Sequence, residues 1–107
     1  MKRGDIVTAV SSGDFGKPRP ALIVQSDRLD LRTVVICPFT SDLIGATPIR
    51  VSVEPTEGNG LRRQSHVMID KVTTVLRTRC GAIIGELDDQ SLAAVEEKLA
   101  LLLGLAG

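Results

Sequence analysis

Tryptophan and tyrosine are missing from this sequence, and its aromatic content stops at two phenylalanines. That removes the stacking platforms with which oligonucleotide-binding and RNA-recognition folds hold unpaired bases. A single histidine, His66, leaves too few ligands for a protein-built metal centre and excludes a ribonuclease mechanism that needs two histidines. Cys37 and Cys80 lack the paired spacing of zinc and redox motifs, so they read as reduced, buried thiols. Net charge is absent too. Thirteen Lys and Arg balance 13 Asp and Glu, so a nucleic-acid contact has to come from a local cluster and not from a global field. No apolar run is long enough to span a bilayer, and Met1-Lys2-Arg3-Gly4-Asp5 carries no signal core behind its charges. The expectation is a cytoplasmic protein with no membrane contact, no metal and no cofactor.

What is present fits one compact domain over residues 1–107, since a chain of that length with 43% hydrophobic residues can bury a core without disulfides. Short β-branched or alternating runs predict strands over Asp5–Val10, Ala21–Gln25, Thr33–Ser41 and Ile49–Val53. The Ile49–Val53 run alternates strictly, which places Arg50 and Ser52 outward. Further strand signal runs from Gln64 to Val75 around Asp70 and Lys71, with a last short strand at Gly81–Gly85. The period then changes. Asp88 or Asp89 can cap an amphipathic helix whose apolar residues Leu92, Val95, Leu99, Leu102 and Leu103 recur at three and four, ending at Gly104. About six short strands and one terminal helix predict a mainly β fold, a small closed or nearly closed antiparallel barrel with the helix packed on it.

Chemistry concentrates at Gly16-Lys17-Pro18-Arg19-Pro20, where a polar loop becomes an apolar strand. Proline on both sides keeps Arg19 out of the α region and offers its side chain from an extended backbone at the strand's first residue. If the following strand returns antiparallel, Arg19 and the pair Thr40-Ser41 lie at the same end of the barrel. A guanidinium beside hydroxyls can grip a phosphodiester and stabilise charge growing on its oxygens. The same residues also allow a surface salt bridge for Arg19 and simple turn capping by Thr40 and Ser41. A second cluster, Arg62-Arg63-Gln64-Ser65-His66, could track an RNA backbone, donate a proton through His66, or be a solvated loop. Asp70 reads as structural, paired with Lys71 or an arginine, and Leu101-Leu102-Leu103 as core or dimer interface.

Taken in order, these segments resemble the MazF/PemK (Kid) toxin endoribonucleases of bacterial toxin–antitoxin systems. Lys2-Arg3-Gly4-Asp5-Ile6-Val7 is similar to the family's opening strand, Arg19-Pro20-Ala21-Leu22-Ile23-Val24 to its arginine-proline strand, and Cys37-Pro38-Phe39-Thr40-Ser41 to its threonine-bearing strand. Gly60-Leu61 through Asp70-Lys71-Val72, and Gly85-Glu86-Leu87 with the helix, follow in family order. The resemblance implies an SH3-like barrel of the CcdB/PemK type and a homodimer. It implies metal-independent cleavage of single-stranded RNA, in which the 2′-hydroxyl attacks the neighbouring phosphate and leaves a 2′,3′-cyclic phosphate and a 5′-hydroxyl. Arg19 and Thr40 fall on the catalytic positions. Asp14, Lys17 and Ser41, with Arg62, Arg63, Gln64 and His66, are the expected RNA contacts. The implied protein partner is a cognate antitoxin whose disordered acidic tail covers the RNA groove. One departure is specific: the Kid branch has an arginine two residues before the aspartate of its later strand, and here Met68 precedes Asp70. The rival class, a CcdB-like gyrase poison, inserts a C-terminal tryptophan that this chain does not contain.

Overall fold

The computed structural model describes residues 1–10, 16–45 and 47–106. Its centre is three antiparallel strands, β1 (Asp5–Ala9), β2 (Arg19–Ile23) and β3 (Thr33–Thr40). Ala21, Leu22 and Ile23 are all buried, because β2 is covered on both faces, and this is why its sequence reads as a continuous apolar run. Apolar residues pack against these strands from two sides. Ile6, Leu22, Cys37 and Phe39 face a cluster completed by Val67, Ile69, Leu87 and Val95. Val7, Ala9, Ala21, Ile23, Val34 and Ile36 form a second cluster, closed over by Val75 and Cys80.

Four more strands follow: β4 (Val51–Val53), β5 (Ser65–Val67), β6 (Thr73–Leu76) and β7 (Cys80–Glu86). The path β4-β5-β3-β2-β1-β7 makes a nearly closed barrel, and β6 adds to β3. One edge of β3 is shared, with β6 along Thr33–Ile36 and β5 along Phe39–Thr40. Here the expected single run from Gln64 to Val75 is corrected. Between Val67 and Thr73 the chain advances six residues while β3 returns only three, from Phe39 to Ile36, and a 3₁₀ turn at Ile69–Lys71 absorbs the excess. The turn drives Ile69 into the core, fully buried, and places Asp70 on the surface.

No ladder joins β4 to β7 among the described residues; backbone contact bridges that side instead. The Glu86 amide donates to the Gly58 carbonyl at 2.9 Å. Buried Asn59 shapes the loop, its Oδ1 accepting from the Thr56 and Leu61 amides at 3.0 Å and its Nδ2 donating to the Glu54 carbonyl at 2.8 Å. A Cβ on Gly60, which has φ +69°, would strike the Ile84 carbonyl, and one on Gly85 would strike the Asn59 and Gly58 backbone. Glycine is what lets loop and strand meet here.

Helix α1 (Asp89–Leu102) starts where expected. The Asp88 carboxylate caps it, accepting from the Ser91 amide at 2.9 Å, and this hydrogen bond holds the carboxyl below the usual aspartate range. Val95 is fully buried and Leu92 and Leu99 pack partly, but Leu102 and Leu103 remain 40% and 61% exposed. The helix packs on the 3₁₀ turn and β4, with Leu99 still against the core while Leu101, Leu102 and Leu103 turn outward. Arg3 joins Glu96 at 2.8 Å and ties the N-terminal segment to the helix. Among the described residues no helix is long and apolar enough to cross a membrane.

The two thiols differ from expectation in one respect. Cys37 is buried, and burial together with the nearby Asp70 carboxylate pushes its thiol up to about 12. Cys80, on the outermost strand, is only half-buried; burial raises its pKa and Arg77 partly opposes the rise. Neither is a thiolate at neutral pH.

Candidate active site

The register of the sheet brings distant residues into one row. Ala9 on β1 pairs with Arg19 on β2. The β2–β3 ladder runs Ile23↔Ile36, Leu22↔Cys37, Ala21↔Pro38, and two further steps set Arg19 across from Thr40. Thr40 in turn pairs with His66 on β5, and His66 with Ser52 on β4. Directly opposed residues of antiparallel strands share a face. Arg19, Thr40, His66 and Ser52 therefore stand side by side across four strands, and strands about 4.8 Å apart put the Arg19 and His66 backbones roughly 10 Å from one another.

Each member is held differently. Arg19 is exposed at the first position of β2, between Pro18 and Pro20. Thr40 ends β3, and its Oγ1 accepts from the Asp42 amide at 3.1 Å. The expected turn cap is thus real, yet accepting that bond leaves the hydroxyl hydrogen available to an incoming oxygen. Asp42 is itself engaged, accepting from the Ile44 amide at 3.1 Å. Gln64, exposed just before β5, donates through Nε2 to Ser52 Oγ at 3.1 Å and so lies beside the row. His66 is half-buried; its Nδ1 is enclosed and has no hydrogen-bond partner among the described residues.

The remaining expected contacts flank this row. Lys17 and Ser41 are exposed next to Arg19 and Thr40. Arg62 and Arg63 are exposed on the approach to β5, where the Ser65 hydroxyl donates to the Arg63 carbonyl at 2.9 Å. Asp14 lies outside the described residues, as does the rest of 11–15. Among the described residues the row contains a guanidinium, hydroxyls, an imidazole and an amide but no carboxylate, a composition suited to an anion. No group of three His, Cys, Asp or Glu able to hold a metal occurs among them.

Asp70 is not part of this row. Arg50 meets it with two nitrogens, Nε at 3.2 Å from Oδ1 and Nη2 at 3.4 Å from Oδ2, and these hydrogen bonds hold its carboxyl below the usual range. Arg50, read from the alternation as an outward residue of a strand, instead precedes β4 and folds onto the 3₁₀ turn, leaving its side chain 13% exposed. Ser52 was not a candidate from sequence, because only the β4–β5 pairing shows that it adjoins His66.

Comparison with known proteins follows the geometry. Residues 2–103 match the family described as PemK-like, MazF-like toxin of type II toxin–antitoxin system. The chain is 43% identical over 109 residues to the probable endoribonuclease MazF of Mycolicibacterium smegmatis, with both sequences covered in full. The Mycobacterium tuberculosis toxin MazF-mt6 superposes with a TM-score of 0.80 at 28% identity, covering 96% of this chain and 99% of that one. A MazE-MazF structure from Deinococcus radiodurans gives 0.78 at 25% identity, covering 99% of this chain and 97% of that one.

Proposed function

The chain belongs to the PemK-like, MazF-like toxins of type II toxin–antitoxin systems, and from that membership we propose that it is an endoribonuclease cutting single-stranded RNA across the Arg19–Thr40 row. What supports this reading is the β2–β3 register, which, continued two steps beyond Ala21↔Pro38, brings the backbone of proline-flanked Arg19 across from Thr40, whose hydroxyl accepts from the Asp42 amide and keeps its own hydrogen to give. A scissile phosphate seated between them receives the planar fork of Arg19 on its non-bridging oxygens and the Thr40 hydroxyl on its flank. The 2′-oxygen of the upstream ribose attacks phosphorus. Negative charge then grows on the equatorial oxygens, where the Arg19 guanidinium stabilises it.

The products are a 2′,3′-cyclic phosphate and a 5′-hydroxyl. Lys17, Arg62 and Arg63 guide the flanking phosphates, and Ser41 and Gln64 border the nucleotides on either side. Two copies of the chain pair, and an antitoxin occupies the RNA-binding face until it is degraded. The experiment is cleavage of end-labelled RNA by the purified protein in excess chelator, with the product termini identified. Metal-independent cleavage leaving a cyclic phosphate supports the reading; intact RNA in the presence of folded protein refutes it.

A further inference from the structure

We infer that His66 is a catalytic residue of this site, the group that protonates the 5′-oxygen as it leaves phosphorus; the inference rests on the reading that the row binds a scissile phosphodiester. Its position is the first reason. Thr40 pairs with His66 on one side and, by continued register, faces Arg19 on the other. A phosphate seated over Thr40 has the guanidinium at one flank and the imidazole at the opposite one. Displacement in line expels the 5′-oxygen on the side away from the attacking 2′-oxygen, and the imidazole beyond Thr40 serves that side while the guanidinium holds the non-bridging oxygens.

Proton chemistry is the second reason. Of the side-chain types in the row, guanidinium, hydroxyl and carboxamide are poor proton donors near neutrality. Imidazole is the side chain whose ordinary range allows both forms there. Third, His66 Nδ1 is closed off from solvent and lacks a partner among the described residues. A histidine kept for structure normally has that nitrogen locked by a carbonyl or carboxylate, and orphaned buried nitrogens are few in native folds. This ring is held by packing alone, between Thr40 and Ser52. Its χ2 well is two-fold, so turning the ring over exchanges the enclosed nitrogen for a carbon and points it outward at low cost.

The step balances as follows. The 2′-oxygen bonds to phosphorus and yields its proton to water. The P–O5′ bond breaks, its electron pair stays on O5′, and the imidazolium N–H supplies the proton that completes the 5′-hydroxyl. The hydronium formed at the start returns a proton to the imidazole, so the enzyme emerges unchanged.

A sulfur-for-oxygen substitution tests this directly, because a 5′-thiolate leaves without needing a proton. The substrates are an oligonucleotide carrying a cleavage site mapped with the wild type, and the same oligonucleotide with sulfur at the 5′-bridging position. His66→Ala and His66→Gln should cut the oxygen substrate on the order of a hundredfold more slowly, yet cut the sulfur substrate at close to the wild-type rate. Arg19→Ala should be slow on both. His66 is the sole histidine, so a second route needs no variant: diethyl pyrocarbonate applied to the folded protein and quenched before RNA is added. That treatment should abolish cleavage of the oxygen substrate, spare the sulfur substrate, and be reversed by hydroxylamine. His66 variants within about threefold of wild type on the oxygen substrate, or equally slow on both, overturn the assignment. Folded wild type that cuts no RNA, so that no site can be mapped, overturns the endoribonuclease reading itself, a different failure.

Discussion

Arg50 clasps Asp70 side-on, two nitrogens to two oxygens at 3.2 and 3.4 Å, and so ties the residue that enters β4 to the 3₁₀ turn that separates β5 from β6. The pair holds the aspartate away from the row of Arg19, Thr40 and His66. It also presents a fixed negative charge to Cys37, adding to the burial that keeps that thiol protonated.

Asp70→Asn is therefore expected to lower stability and leave the cleavage rate within about threefold. A partly exposed bidentate pair is worth about 1 kcal/mol. Because the folded carboxyl titrates below its unfolded value, that stabilisation is complete above the unfolded value and is lost as pH falls through the folded one. Thermal melts of the two proteins should differ at pH 7 and converge in acid; a constant gap down to pH 2 would contradict the ion-pair account.

Arg19→Lys separates a fork from a charge. Lysine keeps the charge but cannot meet two phosphate oxygens in one plane. Losing a contact of oxyanion type costs about 3 kcal/mol, or roughly a hundredfold in rate. Arg19→Lys and Arg19→Ala should cleave RNA at least about a hundred times more slowly while melting within a few degrees of wild type. Near-normal turnover by Arg19→Ala would remove Arg19 from the chemistry.

Thr40 has two duties, so its variants should split. Thr40→Ala loses both the hydroxyl offered to phosphate and the acceptor for the Asp42 amide, at a cost of about 1 kcal/mol in stability besides a slower rate. Thr40→Ser restores both functions. Rates and melting temperatures measured together for the two variants check this; equal activity in Thr40→Ala and Thr40→Ser would show that the hydroxyl serves the turn alone.

Gly60→Ala should be among the most damaging substitutions in the chain. It puts a side chain on a residue with positive φ and drives that carbon into the Ile84 carbonyl, which backbone cannot yield cheaply. We expect a loss of at least about 2 kcal/mol, seen as a lower denaturant midpoint. Asp88→Ala is a milder control, costing about 1 kcal/mol through the lost cap, with Asp88→Asn retaining most of it.

Much of this was legible in the sequence. Alternation and β-branching marked β1, β3 and the end of β4, and the aspartate cap with glycine stop framed α1 to within a residue. Pro18 and Pro20 announced Arg19 as the first residue of an extended strand, and it is. What periodicity could not express was edge sharing. Two successive strands lie on one edge of β3, and only that arrangement explains why strand-like residues at Ile69–Lys71 coil into a turn. The same gap hid the row: alternation turned Ser52 outward but could not say what it stands beside, and the adjacency of Thr40, His66 and Ser52 is a matter of pairing.

That β3 serves three partners has a consequence for how the protein comes into being. Arg19 and Thr40 need only a hairpin between neighbouring strands, whereas Ser52 and His66 come from later in the chain, and β5 docks onto an edge of β3 that β6 must also occupy. A chain still being synthesised can thus build the phosphate-facing hairpin early, but remains without its imidazole until β5 has emerged and docked. On the proposed mechanism, the emerging chain thus holds its phosphate grip before it holds its proton donor.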